Sequence, residues 1–280
     1  MNCPTRKMKT VALIMCDDGL YSGGLKTKNS IQYFHPKIDV VIYGTSEIER
    51  VKKKYEIDDS LWSSAPCIID DYLELNGKPD LLIKIDADCL VLDSLDEVFN
   101  LSYEVASARN DPDQVGDRDE RHNRPDIIRD IPNWEWVNAG FVAIRNFDFA
   151  SRYLQKVLDY KNGVEYALKD YGKVYRGDDM SALNVVFRLG GFKTEILDKL
   201  GSGLIYGSSG NWCSGVKYGE TVNNWASWKN IILKDGKPFL GNRKVKVLHQ
   251  GGGIFRGKLN YDLFNDEFRK YVQKVTQFEN

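Results

Sequence analysis

Short apolar runs alternate with amphipathic stretches along the first hundred residues. "TVALIMC" (10–16), "IDVVIYG" (38–44) and "DLLIKI" (80–85) are compact and rich in branched aliphatics, the pattern of strands buried on both faces. Between them, "GGLKTKNSIQYF" (23–34) reads as a turn leading into a helix. "SEIERVKKKYEI" (46–57) reads as a second helix, started by Ser46 with Glu49 three residues on, the capping-box spacing. Strands separated by helices predict an α/β fold with a mostly parallel sheet covered on both faces.

The second half keeps the alternation with longer interruptions. "LDSLDEVF" (92–99) predicts a short helical turn and "YEVASA" (103–108) a strand. Residues 110–132 are dense in charge and proline without periodicity, which predicts a long surface loop, entered through Arg109, that serves as a lid or acceptor platform. "EWVNAGFVAIRN" (135–146) returns to strand character and "FDFASRYLQKVLDYK" (147–161) to an amphipathic helix. "GDDMSALNVVFRLG" (177–190) predicts a helix with acid at its start and glycine past its end. Residues 200–245 show no steady period; "KVKVLHQGGG" (244–253) predicts a late strand, and a helix over about 261–280 closes the chain. Without repeats or a linker, one domain is expected, with halves at about 8–110 and 133–260.

Composition narrows the class. Lys and Arg number 39 against 40 Asp and Glu, so the 280-residue chain has a net charge of −1 and no broad cationic surface for nucleic acid. No apolar stretch has the length of a membrane span, and the first apolar run reads as a core strand rather than a signal peptide. The five cysteines (Cys3, Cys16, Cys67, Cys89, Cys213) are odd in number and scattered, the usage of reduced thiols. A soluble, cytoplasmic protein is the expectation.

Acid stands at two strand ends: Asp17 and Asp18 after the first, Asp86 and Asp88 after the third. In open α/β sheets ligands bind beyond the carboxyl ends of the strands. Residues i and i+2 of an extended segment point the same way, so a small turn can direct Asp86 and Asp88 at one hard cation. His249 ends a later strand, with Gly251, Gly252 and Gly253 leaving room beside it, and is a candidate third ligand. Two carboxylates with an imidazole favour manganese, with magnesium close behind. Taken singly, each feature is an ordinary turn or a hydrogen-bonded histidine; their placement at strand ends is what draws them together.

"DLLIKIDADCLVLDSLDEVF", "WVNAGFVAIRN", "GDDMSALNVVF" and "VKVLHQGGG", in that order, resemble the motifs of GT-A fold glycosyltransferases, most closely the glycogenin and galactosyltransferase-like, family 8 type. The resemblance implies a Rossmann-like, mixed and mostly parallel sheet flanked by helices. It makes Asp86, Asp88 and His249 ligands of a manganese or magnesium ion on the donor diphosphate. Asp17, Asp18 and Tyr21 would lie near the base and ribose, and Asn138, Ala139 and Gly140 beside the donor sugar. Lys28, Ala87, Gly251 and Gly252 would complete the donor site, and Asp178 and Asp179 would face the reacting centre.

Two departures bear on mechanism. The group's Asp-Gln-Asp before Leu-Asn is Asp-Met-Ser here (179–181), and "IFRGKLN" replaces the group's lysine–proline–tryptophan segment after the glycines. With Met180 where retaining members have an amide, the expectation leans to inversion with an aspartate as general base. The donor implied is a uridine diphosphate sugar, and the acceptor a glycan or another hydroxyl-bearing group, a modified nucleic-acid base included. The competing readings are a sugar-nucleotide nucleotidyltransferase, disfavoured because Asp17 and Asp18 stand where a triphosphate would enter, and a non-catalytic metal- or carbohydrate-binding module.

Overall fold

A computed structural model describes residues 8–57, 64–109, 135–161, 168–170, 173–175, 179–199, 202–209, 228–249 and 264–277. The chain opens with β1 (Thr10–Met15), α1 (Tyr21–Phe34), β2 (Asp39–Tyr43), α2 (Thr45–Tyr55) and α3 (Ala65–Asn76). It continues through β3 (Leu81–Asp86), β4 (Cys89–Val91), α4 (Asp96–Asn100), β5 (Val105–Arg109), β6 (Val137–Ile144) and α5 (Phe147–Lys161). Then follow β7 (Leu168–Asp170), β8 (Lys173–Tyr175), α6 (Asp179–Leu189), β9 (Thr194–Ile196) and β10 (Leu204–Ser209). The last elements are β11 (Ile231–Lys234), β12 (Lys237–Leu240), β13 (Arg243–His249) and α7 (Asp266–Thr276).

The main sheet has the order β2-β1-β3-β6-β5-β9. β1 runs parallel to β2 and β3, and β5 parallel to β9, while β6 is antiparallel to both β3 and β5. The mixed, mostly parallel sheet expected from the sequence is therefore present. A smaller sheet, β10-β13-β12-β11, takes β4 onto β13, the same strand that carries β10 in parallel.

Both faces of the main sheet are covered, which is why β1 and β3 are apolar at nearly every position. Leu13 and Leu82 pack with Ile48 and Val51 of α2, Ile68 and Tyr72 of α3, Phe149 and Tyr153 of α5, and Leu183 and Phe187 of α6. On the other face, Ile14, Ile83 and Ile85 meet Ile31 of α1, Val98 of α4, Tyr206 and Val247. A third apolar cluster seats Phe268, Val272 and Val275 of α7 on Leu90, Val245 and Leu248. Among the described residues no helix is long and apolar enough to cross a membrane.

Two expectations need correction, and one helix, α3, is not expected from the sequence. The cap of α2 lies two residues before Ser46: Gly44 is its extended N-cap, the helix starts at Thr45, and the Glu47 carboxylate accepts from Gly44 N at 3.1 Å, so Glu47 rather than Glu49 closes the box. α3 carries no polar–apolar alternation strong enough to announce it, and Pro66 at its first turn is the visible signal. Arg109 is the last residue of β5 rather than part of an exposed segment: it is buried, and its amide donates to Asp198 Oδ1 at 2.6 Å. The loop predicted over 110–132 lies outside the described residues.

Asp198 is a fully enclosed carboxyl. Burial pushes its pKa from 3.8 up to about 6, against the pull of the Arg109 and Arg243 charges and the Arg109 amide. Between those values the folded chain holds a proton that the unfolded chain has released, so this group's contribution to stability falls as pH rises. Asp198→Asn keeps an acceptor for the Arg109 amide and abolishes the titration. Urea unfolding should show the variant gaining on wild type by about 2–3 kcal/mol between pH 4 and pH 7. Parallel pH profiles would assign the effect elsewhere.

Candidate active site at the carboxyl edge

β1 and β3 run side by side with Met15 opposite Asp86, so the residues that follow each strand emerge at one edge. Asp17 and Asp18 are exposed there. Asp17 Oδ1 accepts from Leu20 N at 2.9 Å and shapes the entry to α1; Asp18 Oδ1 accepts from Thr45 Oγ1 at 2.7 Å at the start of α2. Tyr21, the first residue of α1, is 48% exposed at the same edge. Lys28 is half-buried on α1, and no hydrogen bond or ion pair ties it to the acidic cluster among the described residues.

The Asp86–Asp88 turn is gripped from α1. Thr27 is buried, with its Oγ1 2.6 Å from Cys89 O and 3.0 Å from Ala87 O, and Ser30 Oγ accepts from Val91 N at 3.0 Å. Ala87 itself is buried in the core, so it contributes backbone rather than side chain. Neither hydroxyl was singled out from the sequence, since a Thr and a Ser inside a helix announce nothing until the partner strand is known.

β4 then pairs antiparallel with β13 so that His249 stands opposite Cys89. His249 Nε2 lies 3.2 Å from Asp88 Oδ1 and 3.6 Å from Asp86 Oδ2. Burial opposes a charged imidazole, but Asp88 and Asp86 outweigh it and hold His249 above its ordinary pKa. His249 in turn holds Asp88 below the usual carboxylate range, against burial. His249 Nδ1 is buried with no hydrogen-bond partner among the described residues.

Asn138, Ala139 and Gly140 reach the same place through a bulge in β6. One step along β5, Ser107 to Ala108, matches four along β6, Val142 to Asn138. Ser107 Oγ closes the bulge, 2.9 Å from Asn138 O and 3.0 Å from Phe141 O, and Asn138 Oδ1 accepts from Gly140 N at 2.6 Å. A Cβ at Gly140 would stand 2.6 Å from His249 Cε1, so the imidazole rests directly on this glycine.

Asp179 starts α6 and is buried. Asn184, one turn on, joins that helix to β6: its amide donates to Val137 O at 2.9 Å and Met180 O at 2.8 Å and accepts from Val137 N at 2.9 Å, the pairing of a strand neighbour. Met180 packs against the core. Asp178, Gly251 and Gly252 lie outside the described residues.

Asp86, Asp88 and His249 form a donor set of two carboxylates and one imidazole, which fits manganese or magnesium. Cys89 also lies close, its ligand atom within 4.8 Å of those of Asp88 and His249. Burial, reinforced by Asp88 and Asp86, raises its thiol pKa well above normal, and Sγ donates to Gly140 O at 3.5 Å. A protonated thiol is a poor ligand for a hard cation, so Asp86 is the better third member.

The fold is one already seen in solved glycosyltransferases. GlyE from Streptococcus pneumoniae TIGR4 superposes with a TM-score of 0.51 at 14% identity, covering 98% of this chain and 61% of its own. The bifunctional glycosyltransferase WbbM superposes with a TM-score of 0.55 at 14% identity, covering 98% of this chain and 50% of its own. The chain thus spans about half to three-fifths of the length of these structures, and at such identities the likeness establishes the GT-A fold. The chain matches no family model and no curated protein.

Gly140→Ala tests the packing at the centre of the site. The added methyl must displace His249 or Asn138, because overpacking a filled site forces neighbours to move. Manganese affinity, measured by calorimetry, should fall about tenfold or more, in the range seen when the surroundings of a metal site are disturbed. Unchanged affinity, together with loss of the site in His249→Ala, would mean that Asn138 takes up the methyl; unchanged affinity in both variants would mean that His249 is not a ligand.

Proposed function

We propose that the protein is a metal-dependent glycosyltransferase that moves a sugar from a nucleoside diphosphate sugar, a uridine diphosphate sugar by resemblance, to an acceptor hydroxyl. The observation that carries this is the convergence of Asp86, Asp88 and His249 beyond the carboxyl ends of the strands of a GT-A fold. In this reading those three residues hold the cation, which supplies Lewis-acid stabilisation of the diphosphate leaving group. Asp17, Asp18 and Tyr21 border the base and ribose. The bulge at Asn138–Gly140 presents the donor sugar with backbone, Ala87 contributes backbone at the acidic turn, and Lys28 is a donor-site residue by resemblance.

A hydroxyl is a weak nucleophile until a carboxylate takes its proton. Asp179 is a buried carboxylate outside the cation set and fills that role, with Asp178 beside it in sequence. Attack assisted in this way is a single displacement that inverts the anomeric centre. Met180 supports inversion, since a thioether packed into the core offers no amide to the sugar. The acceptor is a glycan or another hydroxyl-bearing group.

A thermal-shift panel of nucleotide sugars with and without manganese tests the donor, because a ligand that binds only the folded chain raises the melting temperature. One nucleotide sugar should stabilise the protein only when manganese is present, and Asp88→Asn should lose that shift while melting normally without ligand. Stabilisation by calcium alone, with no response to any donor, would make this a binding module instead.

Asp179→Asn should keep the donor-dependent shift and lose transfer by about 100-fold or more, the scale of general-base catalysis. The anomeric configuration of the wild-type product, read by NMR, should be inverted. Retention, or full transfer by the variant, would remove Asp179 as the base.

A further inference from the structure

Lys84 sits inside β3 with only 5% of its surface exposed, on the same face of the strand as Leu82 and Asp86. An ammonium at such a depth is costly unless it is fully engaged. Its Nζ donates to Ala139 O at 2.6 Å and to Asp86 Oδ1. Asp86 is its ion-pair partner, and the carboxylate charge of Asp179 also acts on it. One fixed positive charge thus joins the tip of β3, the bulge of β6 and the start of α6.

The consequence falls on Asp86. Its Oδ1 is taken by Lys84, while Oδ2 faces His249 Nε2 at 3.6 Å. We propose that Lys84 is a positioning residue that withholds one oxygen of Asp86 from the cation, so that the site selects a small six-coordinate ion over calcium. The inference rests on the cation site described under the proposed function.

The physical reason is coordination number. Calcium takes six to eight oxygens and commonly uses both oxygens of a carboxylate; magnesium needs a compact octahedron and takes carboxylates through one oxygen. Manganese shares the preference for carboxylate and water oxygen with magnesium. Withholding an oxygen therefore costs calcium more than manganese. The positive charge of Lys84 repels every divalent ion alike, which lowers affinity without changing the ratio between ions.

Replacing Lys84 separates the two effects. In Lys84→Met the repulsion is gone and both Asp86 oxygens are free, so both ions should bind more tightly and calcium should gain more. Lys84→Arg keeps charge and donors and should keep the wild-type ratio. The experiment is competition of calcium against manganese on the intact protein without nucleotide, followed by the paramagnetic resonance signal of free manganese. Wild type should prefer manganese by about tenfold or more, and Lys84→Met should narrow that ratio about tenfold, the scale on which partners of metal ligands act.

An unchanged ratio in folded Lys84→Met overturns the proposal. So does a wild-type protein that binds calcium as tightly as manganese, which settles the matter even if Lys84→Met fails to fold; Lys84→Gln then serves as the second neutral variant. Absence of manganese binding to wild type, or binding that survives Asp88→Asn, is a different result. It removes the cation site itself and with it the proposed function.

Discussion

The antiparallel pairing of β4 with β13 is the contact on which the site depends. Three residues on each strand, Cys89–Val91 and Val247–His249, set the histidine one position from Asp88. Because side chains alternate across a strand, a slip of one residue would turn His249 to the opposite face. So short a ladder cannot hold its register alone, and charge helps hold it. Lys246 is buried beside the turn after β4, with Nζ 3.2 Å from Asp93 Oδ2, 3.1 Å from Glu97 Oε1, and donating to Ser94 O at 2.6 Å. Losing that ammonium would leave Asp93 to the more exposed Lys244 and Lys237, at 3.5 and 4.0 Å, although Lys246 is the main charge that holds its carboxyl below the usual range against burial.

Two lysines are therefore buried, one in each of the two larger sheets, and they do different work. Lys246 helps to lock a register through its buried pairing with Asp93 and Glu97. Lys84 sits among groups that face the ligand, so its partners are the site itself. Both lie in strands whose neighbouring positions are apolar, and both find a carboxylate and a backbone carbonyl to share their protons.

How much of this was legible in the chain follows from range. β1, β2 and β3 and the strand ending at His249 are apolar runs of ordinary strand length, and the acids at their ends stand out against them. α3 was silent because both of its faces carry apolar residues, with Ile68, Ile69 and Tyr72 all buried. β9, β11 and β12 are three or four residues long, too short for a period to emerge. The capping box was misplaced because Gly44 has no side chain to mark it; only the backbone and Glu47 reveal the cap. Lys84 read as the polar position of a strand, and its reach to Ala139, 55 residues on, is a tertiary fact.

The helix that grips the turn owes its position to an absent side chain. A Cβ at Gly24 would stand 2.9 Å from Cys16 Sγ, so glycine lets α1 lie this close to the end of β1 without moving that thiol. From there Thr27 and Ser30, one and two turns on, reach the carbonyls and amide of residues 87–91. A side chain at position 24 would press on the buried Cys16 thiol, and any outward shift of the helix would weaken those hydroxyl contacts to β4 while β13 held it from the other side. Close packing of helix on strand thereby precedes the carboxylate geometry: the spacing of Asp86, Asp88 and His249 is set by how near a glycine allows a neighbouring helix to come.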